Sequence, residues 1–275
     1  MKRYWTILRN HRHPVRFLAA RLLMAARLSH LLVIRQKGYR LRFHRANVPS
    51  QLWIDPGERD DSVAFLRAYL EEGDRVVDVG ANVGETVLAA SVRVGPGGHV
   101  LGIEPHPRTF AFLQDNVGLN AATNVRLIHC AAGAVAGKVR FSDDRLDDMN
   151  RVGDGALEVA VERLDTLVPE RLPLALLKVD VEGYEKFVFE GAPGLLERAA
   201  CVYFETGALH SRHFGYEPRA LLELLERAGF RLYRIADRAL ETICAAHAPE
   251  RAENLVGLRD ESDFRRRTGW AVRAG

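Results

Sequence analysis

The spacing of hydrophobic positions changes along the chain, and the changes divide it into zones. Over residues 14–34 apolar positions recur at helical spacing. Val15, Leu18, Leu22, Leu32 and Val33 fall on one side, with Arg12, Arg16 and Arg27 roughly opposite. This predicts a helix with Pro14 in its first turn. Residues 46–72 read as a connector and a short helix capped by Asp61 or Ser62, whose apolar surface is Val63, Phe65, Leu66, Tyr69 and Leu70. From residue 73 to about 204 short β-branched runs alternate with helical segments. Strands are predicted at 75–79, 99–104, 125–129, 174–180 and 201–205, and helices at 84–93, 107–120 and 185–189. Near-continuous apolar strands separated by helices predict a parallel sheet covered on both faces.

One stretch breaks this rhythm. Residues 136–163 hold two short strand-like runs, 138–141 and 157–161, around a polar segment with Asp143, Asp144, Asp147 and Asp148. It reads as an extra hairpin or a mobile loop, with a lid over the site as the alternative. An amphipathic helix at 218–228 is stopped by Gly229, and strands follow at 230–235 and 254–258. The expected fold is therefore α/β: a doubly wound, Rossmann-like, mostly parallel sheet with one antiparallel C-terminal strand and a basic helical N-terminal arm.

Charge sharpens the boundary of that arm. Residues 1–45 carry twelve Lys and Arg and no acid, and the first acidic residue is Asp55. The net charge of +3 thus averages a basic arm, 1–45, with an acidic body, 46–275, which is read as one domain. At 47% hydrophobic and 27% charged the composition is that of a globular protein, which excludes disordered and fibrous classes. No apolar run is long enough to span a bilayer. Arg16, Arg21 and Arg27 interrupt the most apolar N-terminal stretch, unlike a secretory signal. Cys130, Cys201 and Cys244 are too few for a disulfide framework and have no zinc-type spacing. They read as small buried residues in a reducing, cytoplasmic setting.

The chemistry concentrates where predicted strands end. Val76–Thr86 runs from an apolar strand into the turn Gly80-Ala81-Asn82-Val83-Gly84 and then a helix. Glycines let a ligand approach the backbone, and the helix start offers unpaired N–H groups. The spacing is GxNxG, so the dinucleotide fingerprint is not met. Asp78 at the strand end would repel a pyrophosphate and suits a ligand carrying positive charge. S-adenosylmethionine is such a ligand. Glu104, at the end of the next strand, can accept hydrogen bonds from two ribose hydroxyls. The alternative is that both acids merely end strands in solvent.

These residues resemble the FkbM family of class I, S-adenosylmethionine-dependent methyltransferases. The resemblance rests on 77–84 (VDVGANVG), 102–107 (GIEPHP), 116–120 (NVGLN), 161–167 (VERLDTL) and 177–185 (LKVDVEGYE), and covers about residues 58–235. It implies a methyltransferase fold for the body and O-methylation of a small-molecule, sugar or polyketide hydroxyl. It implies that Asp78, Gly80, Asn82 and Gly84 line the methionine end of the cofactor. Glu104, with Pro105 beside it, would hold the ribose, and Ala131 and Ala132 would leave room for the adenine. The arm lies outside the resemblance.

Methyl transfer needs an acceptor oxygen aligned with the methyl–sulfur bond and a group to take its proton. Asp180 is the first candidate for that group, with Glu182 beside it as a substrate contact. Glu185 reads more simply as an acid favouring a helix N-terminus. Glu205, His210 and His213 follow the next strand. His210 is a candidate base, and Glu205 and His213 are candidate substrate contacts. Glu205 with the two histidines also has the look of a metal site, but no metal is expected. The arm has three readings: a helix docked on the body, a basic amphipathic helix on an anionic membrane surface, or a nucleic-acid contact aided by Tyr4, Trp5, Phe17, Tyr39 and Phe43. The acidic body argues against nucleic acid. Rival functions are an RNA methyltransferase and an inactive, membrane-associated scaffold.

Overall fold

The computed structural model describes residues 12–55, 61–141, 152–153, 155–169 and 171–275. The acidic segment 143–148 and the aromatic residues Tyr4 and Trp5 lie outside them. The chain begins with α1 (Pro14–Ala25), β1 (Val33–Arg35), β2 (Arg40–Arg42), α2 (Asn47–Ile54) and α3 (Asp61–Tyr69). The helix predicted to reach Ile34 thus ends at Ala25. Arg27 takes a left-handed φ of +58°, which a continuing helix does not allow. Beyond it the period becomes two: Ile34 and Leu41 point inward from the antiparallel pair β1–β2 while their neighbours are less buried.

α1 also presents the other side from the one expected. Ala20 is buried, and Phe17 and Met24 pack beside it against Leu41, Phe43, Leu88 and Ala89. Val15, Leu18 and Leu22 face solvent. Both sides of this helix are apolar, so periodicity alone could not choose between them. The arm is fastened further by polar contacts to the body. The Asn116 and Asn120 side chains accept hydrogen bonds from the backbone N–H of Arg42 and Arg40, each at 2.8 Å. Arg42 pairs with Asp115 at 2.6 Å.

The body alternates as the sequence predicts: β3 (Arg75–Val79), α4 (Glu85–Val94), β4 (His99–Ile103), α5 (Pro107–Leu119), β5 (Val125–Ile128). β6 (Ala131–Ala132), β7 (Gly137–Phe141) and β8 (Leu157–Glu162) then form a separate three-stranded sheet, with β7 and β8 antiparallel, which is the hairpin that interrupts the rhythm. After the short helix α6 (Leu164–Leu167) come β9 (Leu174–Val179), α7 (Glu185–Glu190), α8 (Pro193–Arg198) and β10 (Ala199–Thr206). The chain closes with α9 (Ala208–Ser211), α10 (Pro218–Arg227), β11 (Arg231–Ala236), β12 (Ala239–Ile243), β13 (Glu253–Leu258), α11 (Glu261–Thr268) and β14 (Ala271–Arg273).

The main sheet has the order β14-β12-β11-β13-β10-β9-β3-β4-β5. The inner strands β5, β4, β3, β9 and β10 are parallel. β13 inserts antiparallel between β10 and β11, as the predicted antiparallel C-terminal strand. β12 and β14 extend the edge beyond it in the same sense as β13, so three strands run against the inner ones where one was expected. Successive residues of the central strands feed opposite faces. Leu177, Val179, Val202 and Phe204 enter one core; Val76, Leu176, Cys201 and Tyr203 enter the other. Each such fully buried side chain contributes about 1.5–3 kcal/mol. The chain runs outward from β3 to β5, then returns to β9 on the other side of β3. The carboxyl ends of β3 and β9 therefore flank the crevice where open α/β sheets bind ligands.

Candidate active site

β3 leaves the sheet through the glycine turn and enters α4. Gly80 has φ +81°, and a Cβ there would lie 1.8 Å from the Asp180 carbonyl oxygen. Only glycine lets the turn pass so close to the end of β9. Gly84 caps α4 with φ +92°, and a Cβ on it would meet Leu113 Cδ1 at 2.5 Å. Between them Asn82 adopts φ +46°, and its backbone N–H donates to Glu104 Oε2 at 2.9 Å. Glu104 Oε1 accepts from the His106 N–H, also at 2.9 Å. One buried carboxylate thus ties the first two strand-end loops together.

A cavity of about 200 Å³ opens above these loops. Its wall includes Gly80, Asn82, Glu104, Pro105, Ala131 and Ala132, which are six of the eight residues expected around a cofactor. Ala131 and Ala132 form β6, and the apolar side chains of Ile103 and Phe141 stand near them. A glycine turn at a helix start, an acid at the second strand end and a small-residue apolar wall fit an adenosyl group with a charged amino-acid tail. Gly84 shapes the turn from outside the wall.

Asp78 also lies outside the wall, only 2% exposed. Its Oδ1 is 3.1 Å from Lys178 Nζ, and its Oδ2 accepts the Thr86 hydroxyl hydrogen. Lys178 is itself only 3% exposed, and its ammonium reaches Asp180 Oδ2 at 3.4 Å. Burial disfavours the Lys178 charge, but Asp78 and Asp180 outweigh it and hold the pKa above the ordinary range. The positive charge that complements Asp78 is therefore built into the fold. The sequence motif contains Lys178, but nothing in spacing alone shows that it faces Asp78.

The acceptor side is built on the turn after β9. Asp180 lines the cavity with about a third of its side chain exposed, and Glu182, at φ +55°, lines it too. Glu185 does not reach the cavity. Its Oε1 accepts from the backbone N–H groups of Val181 and Gly183 at 3.0 Å, so it clamps the turn that presents Asp180 and Glu182. Burial pushes the Glu185 carboxyl up to about 7 against those hydrogen bonds. Tyr216 donates to the Gly183 carbonyl at 2.8 Å and braces the same turn.

His210 and Glu205 stand behind this edge, outside the cavity wall. The segment read as a loop is helical here, in α9 and a following 3₁₀ turn at Arg212–Phe214. His210 Nδ1 lies 3.6 Å from Glu205 and 3.8 Å from Glu182. Burial, then the charges of Asp180 and Glu185, push Glu205 up to about 8. Glu182, Glu205 and His210 each offer one donor atom within 4.8 Å of the others, a spacing a divalent cation could bridge. His213 is not part of this group; it is exposed, edge-on to Phe214.

Residues 78–232 match the family described as the methyltransferase FkbM domain. The hexuronic acid methyltransferase AglP of Haloferax volcanii is 26% identical over 204 residues, which span 72% of this chain and 80% of its own. Methyltransferase 1 of Beauveria bassiana is 28% identical over 143 residues, 42% of this chain and 57% of its own. Among solved structures, methyltransferase FkbM from Methylobacillus flagellatus superposes with a TM-score of 0.47 at 16% identity, covering 93% of this chain and 57% of that one.

Proposed function

The chain belongs to the FkbM methyltransferase family and is an S-adenosylmethionine-dependent methyltransferase, and from that premise we propose that it O-methylates a hydroxyl group of a small polyhydroxylated acceptor, a sugar before a polyketide. The observation that carries this reading is the placement of Asp180 and Glu182 on the cavity wall, beside the glycine turn. When bound, S-adenosylmethionine supplies an electrophilic methyl group on a sulfonium. Gly80, Asn82 and Glu104 would hold it, with Ala131 and Ala132 beside the adenine. Asp180 accepts the hydrogen of the acceptor hydroxyl, fixes the direction of the oxygen lone pairs and receives the proton. Lys178, 3.4 Å from Asp180 Oδ2, limits the positions that carboxylate can take. Glu182 accepts from a neighbouring hydroxyl. His210 and Glu205 act through Glu182, as positioning residues rather than as a base in contact with the acceptor.

The charge of this edge supports the acceptor class. Asp180, Glu182 and Glu205 converge at this edge, and Lys178 is already engaged by Asp78 and Asp180. Such an edge suits a neutral polyol and repels phosphates, which weighs against RNA. AglP is named for a hexuronic acid, and its likeness favours a sugar. The acidic edge favours a neutral sugar over a uronate. The test is methyl transfer from labelled S-adenosylmethionine to a panel of neutral sugars, uronic acids and bulk RNA, with the product position assigned by NMR. Methyl ethers on neutral sugars are expected. Transfer to RNA, or to nitrogen or carbon alone, would overturn the proposal.

A further inference from the structure

Six of the ten large hydrophobic side chains exposed among the described residues fall within residues 15–33. Val15 and Leu22 are 78% and 70% exposed, and with Leu18 they form one outward stripe of α1 at i, i+3 and i+7. Leu28, Leu31 and Val33 continue the exposed apolar surface just beyond the helix. The inward side of α1 is already satisfied by the contacts of Phe17, Ala20 and Met24. Among the described residues the outward side has no such partner, although this helix has ample apolar surface to bury.

The exposed charges bordering the stripe along α1 are arginines, and the acid near its start, Asp55, lies 3.6 Å from Arg12. On a helical projection Arg16 flanks it on one side and Arg21 on the other, and both are exposed. Arg27, Arg35, Lys37 and Arg40 are exposed in the segment that follows. No acid occurs before Asp55. An apolar ridge bordered by arginines matches the depth profile of an anionic lipid leaflet. Apolar side chains enter the acyl boundary, and guanidinium groups reach back to phosphates on flexible stems. A second copy of the chain would place these arginines against one another, so like charges oppose that occupant.

We propose that α1 and the segment through Val33 dock this protein on an anionic lipid bilayer. The helix lies in the interface plane, with Val15, Leu18 and Leu22 inserted and Arg16 and Arg21 on headgroup phosphates. No helix among the described residues is long and apolar enough to cross a membrane, so the contact is peripheral. α1 packs on α2, and Val48 of α2 lines the cavity, so the bilayer surface lies one helix away from the site. The proposal concerns binding alone and does not depend on the acceptor.

The test is flotation of the full chain with vesicles of phosphatidylcholine alone or mixed with phosphatidylglycerol. Binding is expected to the mixed vesicles and to decline as salt is added. Leu18→Glu with Leu22→Glu should abolish it. Arg16→Glu with Arg21→Glu should weaken it at least about fivefold per residue. These positions are exposed, so binding of S-adenosylhomocysteine by the variants should match wild type and report that the body is folded. Equal binding to both vesicle types, or none to either, would overturn the proposal. So would a wild-type dimer that Leu18→Glu and Leu22→Glu convert to monomer, or RNA competing with the anionic vesicles for the arm while neutral vesicles hold it equally well.

Discussion

Lys178 stands directly across from Asp78 in the register of β9 and β3, and the two side chains meet at 3.1 Å inside the sheet layer. The pair sits among buried apolar neighbours on both strands. Two buried charges tolerate each other far better than either tolerates solitude. Lys178→Met should therefore destabilise the fold by about 3–5 kcal/mol, because Asp78 is left charged and buried without its partner. Lys178→Met with Asp78→Asn should recover much of that loss. Urea unfolding of the two single variants and the double variant measures the coupling, and additive losses would show that the pair does not act as a unit.

Glu205 gives the stability a pH dependence of definite sign. Its carboxyl lies near 4.5 in an ordinary setting and is pushed up to about 8 here. Between those values the folded chain holds a proton that the unfolded chain has released. Raising the pH through that window therefore removes stability. Glu185, pushed up to about 7, acts in the same sense over a narrower window. The urea midpoint should fall as the pH rises from about 5 to about 8. Glu205→Gln carries no titrating proton and should flatten that slope, while leaving the part that belongs to Glu185.

Gly80→Ala tests how closely the two strand ends must approach. The added methyl would sit 1.8 Å from the Asp180 carbonyl oxygen, at a φ of +81° that side chains resist. The glycine turn and the Asp180 turn would have to separate. Calorimetry should show S-adenosylhomocysteine binding reduced by at least about tenfold, the equivalent of a 1.4 kcal/mol loss. Gly118→Ala is the matched control. A Cβ at Gly118, within α5, meets nothing within 4 Å, so this variant should bind normally and unfold at slightly higher urea.

What could be read from the sequence was local. The run from Val76 to Thr86 carries strand, turn and helix signals within one stretch, and the fold reproduces them. Glu104 and Asp180 could be placed at strand ends for the same reason. The partnership of Asp78 with Lys178 depends on which strands lie side by side, and that register is set by packing far from either residue. Periodicity likewise could not orient α1, since Phe17, Ala20 and Met24 make as good an apolar face as Val15, Leu18 and Leu22. β14 went unread because it is a three-residue edge strand, and β12 because its place between β14 and β11 is set by those neighbours rather than by its own pattern. His210 was found by residue type, but the short helix that brings it to Glu182 could not be seen in the chain.

Asp180→Asn separates the chemistry from the scaffold around it. Asparagine keeps the size of the side chain and one acceptor oxygen, so the acceptor can still be held. It cannot take a proton at neutral pH. Turnover should fall by about a hundredfold or more. S-adenosylhomocysteine binding should stay near wild type, because Lys178 keeps Asp78 as its partner. The same substitution removes one of the charges that raise Glu205. The pH window over which stability declines should therefore end at a lower pH in Asp180→Asn than in wild type. A variant that only disturbed packing would lose stability without moving that window. Unchanged turnover would remove Asp180 from the proton step and pass that role to Glu182, the cavity-wall carboxylate on the same turn.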